Sequence, residues 1–148
     1  MLHNLASSKA TFKIIAIGGQ TISSAAIFEN FATRPEERKK LLDGIEKENI
    51  KGVFFLSGDR HFTELSKMNR ALKYPLYDLT CSPLTSGIHK KAFEENNMYR
   101  ETETLVMDHN FAILSFSGDI KNRLMRITVY NAQGKKKWAT TISSNDLQ

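Results

Sequence analysis

Hydrophobic positions change their spacing along this chain, and the change divides it in two. Ile14, Ile15 and Ile17 are β-branched and nearly continuous, which predicts a strand over Phe12–Ile17 ended by Gly18-Gly19. Val53-Phe54-Phe55-Leu56 is wholly apolar, the pattern of a parallel strand covered on both faces. Leu76–Cys81, set between Pro75 and Ser82-Pro83, predicts a third strand. Leu2–Ala10 reads as helical turns before the first of them. Between the first two strands, Pro35 opens a stretch in which Leu41, Leu42 and Ile45 form one apolar stripe. Glu36, Lys39, Lys40 and Glu46 oppose it, and Gly52 closes the helix they predict. Thr33 with Glu36 has capping-box spacing, while Pro35 leaves Arg34 as the competing cap. Leu65, Met68 and Leu72 also have helical spacing and predict a helix over Thr63–Leu72. Right-handed crossovers then make the three strands parallel.

After the polar segment Ile88–Leu105 the period falls to two. Met125, Ile127 and Val129 alternate with Leu124, Arg126 and Thr128. Phe111–Phe116, Leu124–Tyr130 and Lys136–Ile142, separated by Gly118-Asp119 and Asn131–Gly134, predict an antiparallel meander. The fold class expected is α/β, a short parallel βαβαβ part followed by that meander. Gln20–Thr33 has little periodicity, and loops of that length inside a compact domain are usually functional or disordered.

Composition narrows the class. With 41% hydrophobic and 25% charged residues among 148, the chain suits one folded domain and is neither disordered, collagen-like nor a disulfide scaffold. Its apolar runs fall far short of the ~20 residues a membrane span needs. No charged-then-apolar start at Met1–Ala10 directs export. The net charge of +5 is spread along the chain, and its one tight run, Lys135–Lys137, reads as a solvated hairpin shoulder. A nucleic-acid partner is therefore not expected. Cys81 is alone, so there is no internal disulfide.

Parallel strands present their carboxyl ends at one edge, where open α/β sheets bind ligands. Three loops should converge there: Gly18-Gly19-Gln20, Ser57–His61 and Thr80–Pro83. The second carries a carboxylate and an imidazole two residues apart. Asp59 and His61 are donors that suit Zn, Fe, Mn or a mixed pair of ions, and Gly58 lets the backbone turn sharply. The bland alternative makes Asp59 the cap of a following helix with His61 in its first turn. Gln20 is a further candidate donor through its amide oxygen. A single catalytic ion commonly takes about three protein donors and a two-metal site about six. His89 and His109 lie outside the three loops and read as surface or partly buried residues. Cys81 reads as a small buried residue, and Ser57 and Ser82 lack a nucleophile elbow. Gly18-Gly19-Gln20 spells the tripeptide of peptide-release factors, but here it follows a buried-type strand instead of standing in an exposed loop.

At Phe54–His61 the sequence resembles the metallophosphoesterase superfamily, and specifically its alkaline phosphatase D (PhoD-like) family. Ser8–Lys13, Glu37-Arg38, Leu41-Leu42, Leu79–Leu84, Asn110–Ala112, Arg123 and Gly134–Trp138 fit that family in the same order. The resemblance implies half of an α/β/β/α sandwich from a metal-dependent phosphomonoesterase or phosphodiesterase. It implies Asp59 and His61 as metal ligands and catalytic residues, and Gln20 near the substrate. Two ions in the complete enzyme, among Fe, Zn, Mn or Ca, would activate water against a phosphoester, in a periplasmic or secreted setting.

The superfamily's upstream ligand segments, an Asp-x-His, a Gly-Asp-x-x-Asp and a Gly-Asn-His-like string, do not occur between Met1 and Phe55. The resemblance is thus to the C-terminal portion, expected to be inactive alone. The alternative is a non-catalytic α/β domain that serves as an interaction or assembly module. A half-sandwich should also leave a sheet face uncovered and self-associate through it.

Overall fold

The computed structural model describes residues 1–71 and 73–148. Helix α1 (Leu2–Ser7) leads to β1 (Lys13–Ala16), then α2 (Pro35–Lys47) and β2 (Val53–Ser57). Next come β3 (Glu64–Arg70) and β4 (Lys73–Thr80), and the meander follows as β5 (Asn110–Ser117), β6 (Leu124–Asn131) and β7 (Lys136–Ser143). The first four strands make one sheet in the order β1-β2-β4-β3, and the last three make a second in the order β5-β6-β7. As expected, β1, β2 and β4 are parallel, with Ile15 beside Phe55 and Phe55 beside Asp78.

The helix predicted over Thr63–Leu72 is instead the strand β3, antiparallel to β4. So the parallel part is strand, helix, strand, and then a hairpin in place of the second crossover. Leu65 and Met68 fit a helical stripe, yet they have opposite parity and serve opposite faces of the sheet. Leu65 joins the core under the meander, and Met68 packs on the α2 side. Leu72, the third member of that stripe, lies outside the described residues. Pro75 is accommodated where the β3–β4 register slips, since Met68 faces Leu76 while Arg70 faces Lys73. Two residues there oppose one, a bulge at which a missing N–H costs little.

Both faces of the four-stranded sheet are covered. Leu41 and Ile45 of α2 close over Ile15, Val53, Phe55 and Leu76. On the other side Phe54, Leu65, Tyr77 and Leu79 meet Met125, Ile127, Val129 and Ile142 of the meander. The four-stranded sheet has no open face, because the meander fills that place, and the uncovered face of this half-sandwich is the outer side of the meander, where Ile113 and Leu124 are exposed. A further open apolar surface lies at the β1 edge, where Ile14, Phe116 and Ile120 are exposed around the Phe12–Phe116 ring contact.

The segment from Gln20 to Thr33 begins in the interior, with Gln20, Thr21, Ile22 and Ser23 wholly buried, and comes to the surface by Phe28 and Glu29. Arg34 is the cap residue of α2 and makes no side-chain cap bond. Thr33 does not form the capping box, for its hydroxyl donates to the Asn30 carbonyl at 2.7 Å. Gly52 is needed where α2 turns back into β2: its φ is +76° and a Cβ would stand 2.2 Å from the Thr11 carbonyl oxygen.

Candidate functional site

The strand ends are tied to one another through the backbone. Gly58 N–H donates to the Gly18 carbonyl at 3.1 Å, and Cys81 N–H to the Ser57 carbonyl at 2.9 Å. His61 N–H donates to the Ser82 hydroxyl at 2.9 Å. Between these anchors the chain makes a tight reversal, with Arg60 N–H bonded to the Gly58 carbonyl at 2.8 Å. Asp59 and His61 both adopt left-handed backbone angles, φ +63° and +59°. Asp and His are among the few side chains that tolerate that region, so the string Gly-Asp-x-His suits this turn chemically. No helix follows, and the reading of Asp59 as a helix cap falls with it.

Asp59, Arg60 and His61 line one cavity of about 440 Å³ with Phe28, Ile88 and His89. Arg60 is buried and ion-paired with Glu95, whose carboxylate also stands 3.0 Å from His89 Nε2. The same guanidinium lies 4.7 Å from the Phe28 ring centroid and 5.6 Å from that of Phe62. His89 N–H donates to the His61 carbonyl at 2.9 Å, so the two histidines are held side by side. The sequence reading put His89 outside the convergent loops; the structure puts it in the cavity wall, and no local spacing signals this. His109 does remain apart, its Nε2 2.9 Å from the Ser86 carbonyl oxygen.

Gln20 is not in that cavity. Its amide nitrogen donates to Glu64 Oε1 at 2.7 Å and to Thr80 Oγ1 at 2.9 Å in a fully buried polar cluster. Glu64 also accepts from Asn97 at 2.7 Å and pairs with Arg100. Asp78 accepts from Thr21 N–H at 2.7 Å, Ile22 N–H at 3.0 Å and the Ser57 hydroxyl at 2.7 Å. Burial pushes the Asp78 carboxyl up from its ordinary value. The bonds from Ser57, Ile22 and Thr21 pull it back, and the Glu64 charge adds to the rise. Burial likewise pushes the Cys81 thiol up, although the residue is half-buried and not the fully buried one expected.

Asp59 and His61 bring an oxygen and a nitrogen donor to the lining of one cavity, donor types that suit a hard or borderline cation. Among the described residues no group of three His, Cys, Asp or Glu side chains could hold a metal ion. An ion placed there would need further donors.

No protein-family model matches the sequence, and no curated protein does. A solved structure of PhoD superposes on 95% of this chain with a TM-score of 0.58 at 17% identity. The chain has a PhoD-like fold. It spans about a third of the matched PhoD chain, 34% of its length. At that identity the likeness carries the architecture alone, and the chemistry must be argued from the residues in the PhoD-like frame.

Proposed function

We propose that this chain is part of a metal-dependent phosphoester hydrolase, a phosphomonoesterase or phosphodiesterase of the alkaline phosphatase D kind. One observation carries the reading. Asp59 and His61 take matched left-handed conformations on either side of a pinned Arg60 and line a single cavity at the carboxyl edge of parallel strands. Asp59 and His61 would hold a cation there, with the remaining donors coming from the rest of a PhoD-length sandwich. When bound, such ions, one or two of Fe, Zn, Mn or Ca, polarise a phosphoryl oxygen and lower the pKa of water. Arg60, paired to Glu95, keeps the loop between the two donors in place. Gln20, buried outside the cavity lining, holds the start of its loop to Glu64 and Thr80, a positioning role in place of a substrate contact in this proposal.

The second reading is a metal-free interaction module, favoured by the lack of a third donor among the described residues. Calorimetric titration with Mn²⁺ and a phosphoester assay, run on this chain and on a longer polypeptide carrying the whole sandwich, separate the two. The hydrolase reading expects weak metal binding here, turnover in the longer protein, and loss of that turnover by orders of magnitude in His61→Ala. Full activity of His61→Ala ends the metal-site reading, and no activity in either polypeptide favours the module. Self-association belongs to the same proposal, now through the open β1 edge and its exposed Ile14, Phe116 and Ile120. Light scattering that shows a monodisperse monomer at high concentration removes it.

A further inference from the structure

The lining of the cavity that holds the donor pair has a feature that neither metal binding nor the core requires. Phe28 is 66% exposed and its backbone is left-handed, φ +50°, a conformation that a bulky non-glycine residue adopts only under constraint. A scattered surface phenylalanine needs no explanation. This one is held in a defined pose. The Arg60 guanidinium supports its ring at 4.7 Å, Glu95 fixes Arg60, and the His89 imidazole stands edge-on to the ring with centroids 6.4 Å apart. The ring is therefore backed by a cation on one side and open to solvent at the mouth of the cavity that holds Asp59 and His61. Ile88 adds an apolar contact on the same wall.

We propose that Phe28, backed by Arg60 and flanked by Ile88 and His89, is a stacking platform for the esterified group of a phosphoester, and that this group is a planar aromatic ring. The proposal rests on the phosphoesterase reading for the phosphate end of the ligand. A planar group stacks on the free ring face and gains contact beyond its buried area, whereas an alkyl group of similar size gains burial alone. A fixed aromatic ring also loses little conformational freedom on binding, which favours recognition by a preformed surface.

The test is binding by the 148-residue chain in the presence of Mn²⁺, followed by isothermal titration calorimetry. The probes are phenyl phosphate, butyl phosphate and inorganic phosphate. Phenyl phosphate should bind roughly 2- to 10-fold more tightly than butyl phosphate. Phe28→Asn, which keeps a residue suited to the left-handed angle while removing the ring, should bring that ratio to one, and Phe28→Tyr should preserve it. Equal binding of the two esters by the unaltered chain, failure of phenyl phosphate to bind, or a ratio that survives Phe28→Asn overturns the platform. The two readings fail separately. If inorganic phosphate displaces both esters and no ring preference exists, the platform is wrong and the phosphate site stands. If inorganic phosphate displaces neither, while a Phe28-dependent preference remains, the platform stands and the phosphoesterase reading falls.

Discussion

The two faces of the four-stranded sheet differ in chemistry, although the same strands build both. Towards the meander the fully buried residues of the four strands are apolar: Phe54, Leu65, Tyr77 and Leu79 pack with Met125, Ile127 and Val129. Towards α2 the sheet is apolar only where the helix lies over it. Beyond that, nearer the carboxyl edge, Ser57, Glu64, Ser66, Asp78 and Thr80 are all buried and polar. The reason is what covers each region. A helix and a second sheet satisfy their own backbone bonds, but the loop from Gln20 brings N–H groups that need acceptors once buried. Asp78 accepts two of them. A dry face joins layers, and a polar face fastens an irregular loop beside the cavity.

The largest effect should come from the dry face. Phe54→Ala should cost about 3–5 kcal/mol in urea unfolding, the usual loss for emptying a buried phenylalanine site. Should Phe54→Ala prove milder than every substitution on the polar face, the contrast between the faces is misdrawn. Next comes Glu64→Ala, which removes the carboxylate that Arg100, Gln20 and Asn97 share and leaves the Arg100 charge without its counter-ion; about 3 kcal/mol is expected from breaking such a buried pair. A loss under about 1 kcal/mol, typical of exposed pairs, would place that cluster in effective contact with water.

Asp78→Asn should cost about 1–2 kcal/mol, since one acceptor becomes a donor facing donors. Here pH sharpens the comparison. A carboxyl whose folded pKa stands above its unfolded one binds its proton more tightly in the folded state. Its stabilising contribution is full below the unfolded pKa of about 3.9 and is lost as pH rises through the folded value. The stability gap between the unaltered chain and Asp78→Asn should therefore be widest at the acid end and narrow with rising pH. A gap that widens with pH would mean that the hydrogen bonds outweigh burial. His61→Asn should change stability least, within about 0.5 kcal/mol, because Asn accepts the left-handed angle. Its expected mark is a weakened Mn²⁺ isotherm, and an unchanged isotherm would detach His61 from metal binding.

Legibility in the sequence followed these same faces. Val53–Leu56 and the Met125–Val129 alternation were readable because apolar burial leaves a period. Leu65 and Met68 misled, since three-residue spacing fits a helix face as well as two sides of a strand, and only tertiary pairing with β4 decides. Asp59 and His61 stood out by their place after a buried strand. His89 and Glu95 did not, lying in a polar segment that long-range contacts alone carry to the cavity. Glu64, Asp78 and Gln20 were illegible as interior residues, because charged and amide side chains are ordinarily exposed and their burial depends on partners distant in sequence.

The left-handed angles at Asp59 and His61 have a consequence at the level of the gene. Asn is as comfortable as Asp or His in that backbone region, and its codons lie one base from those of both. If Asp59 and His61 hold a cation, as proposed, a lineage that no longer needed it would lose both donors through two point mutations that purifying selection on folding would not see. The turn, the cavity and the surrounding sheet would persist, so a metal-binding form and a metal-free form of this fold would be neighbours in sequence space, separated by the letters of two codons.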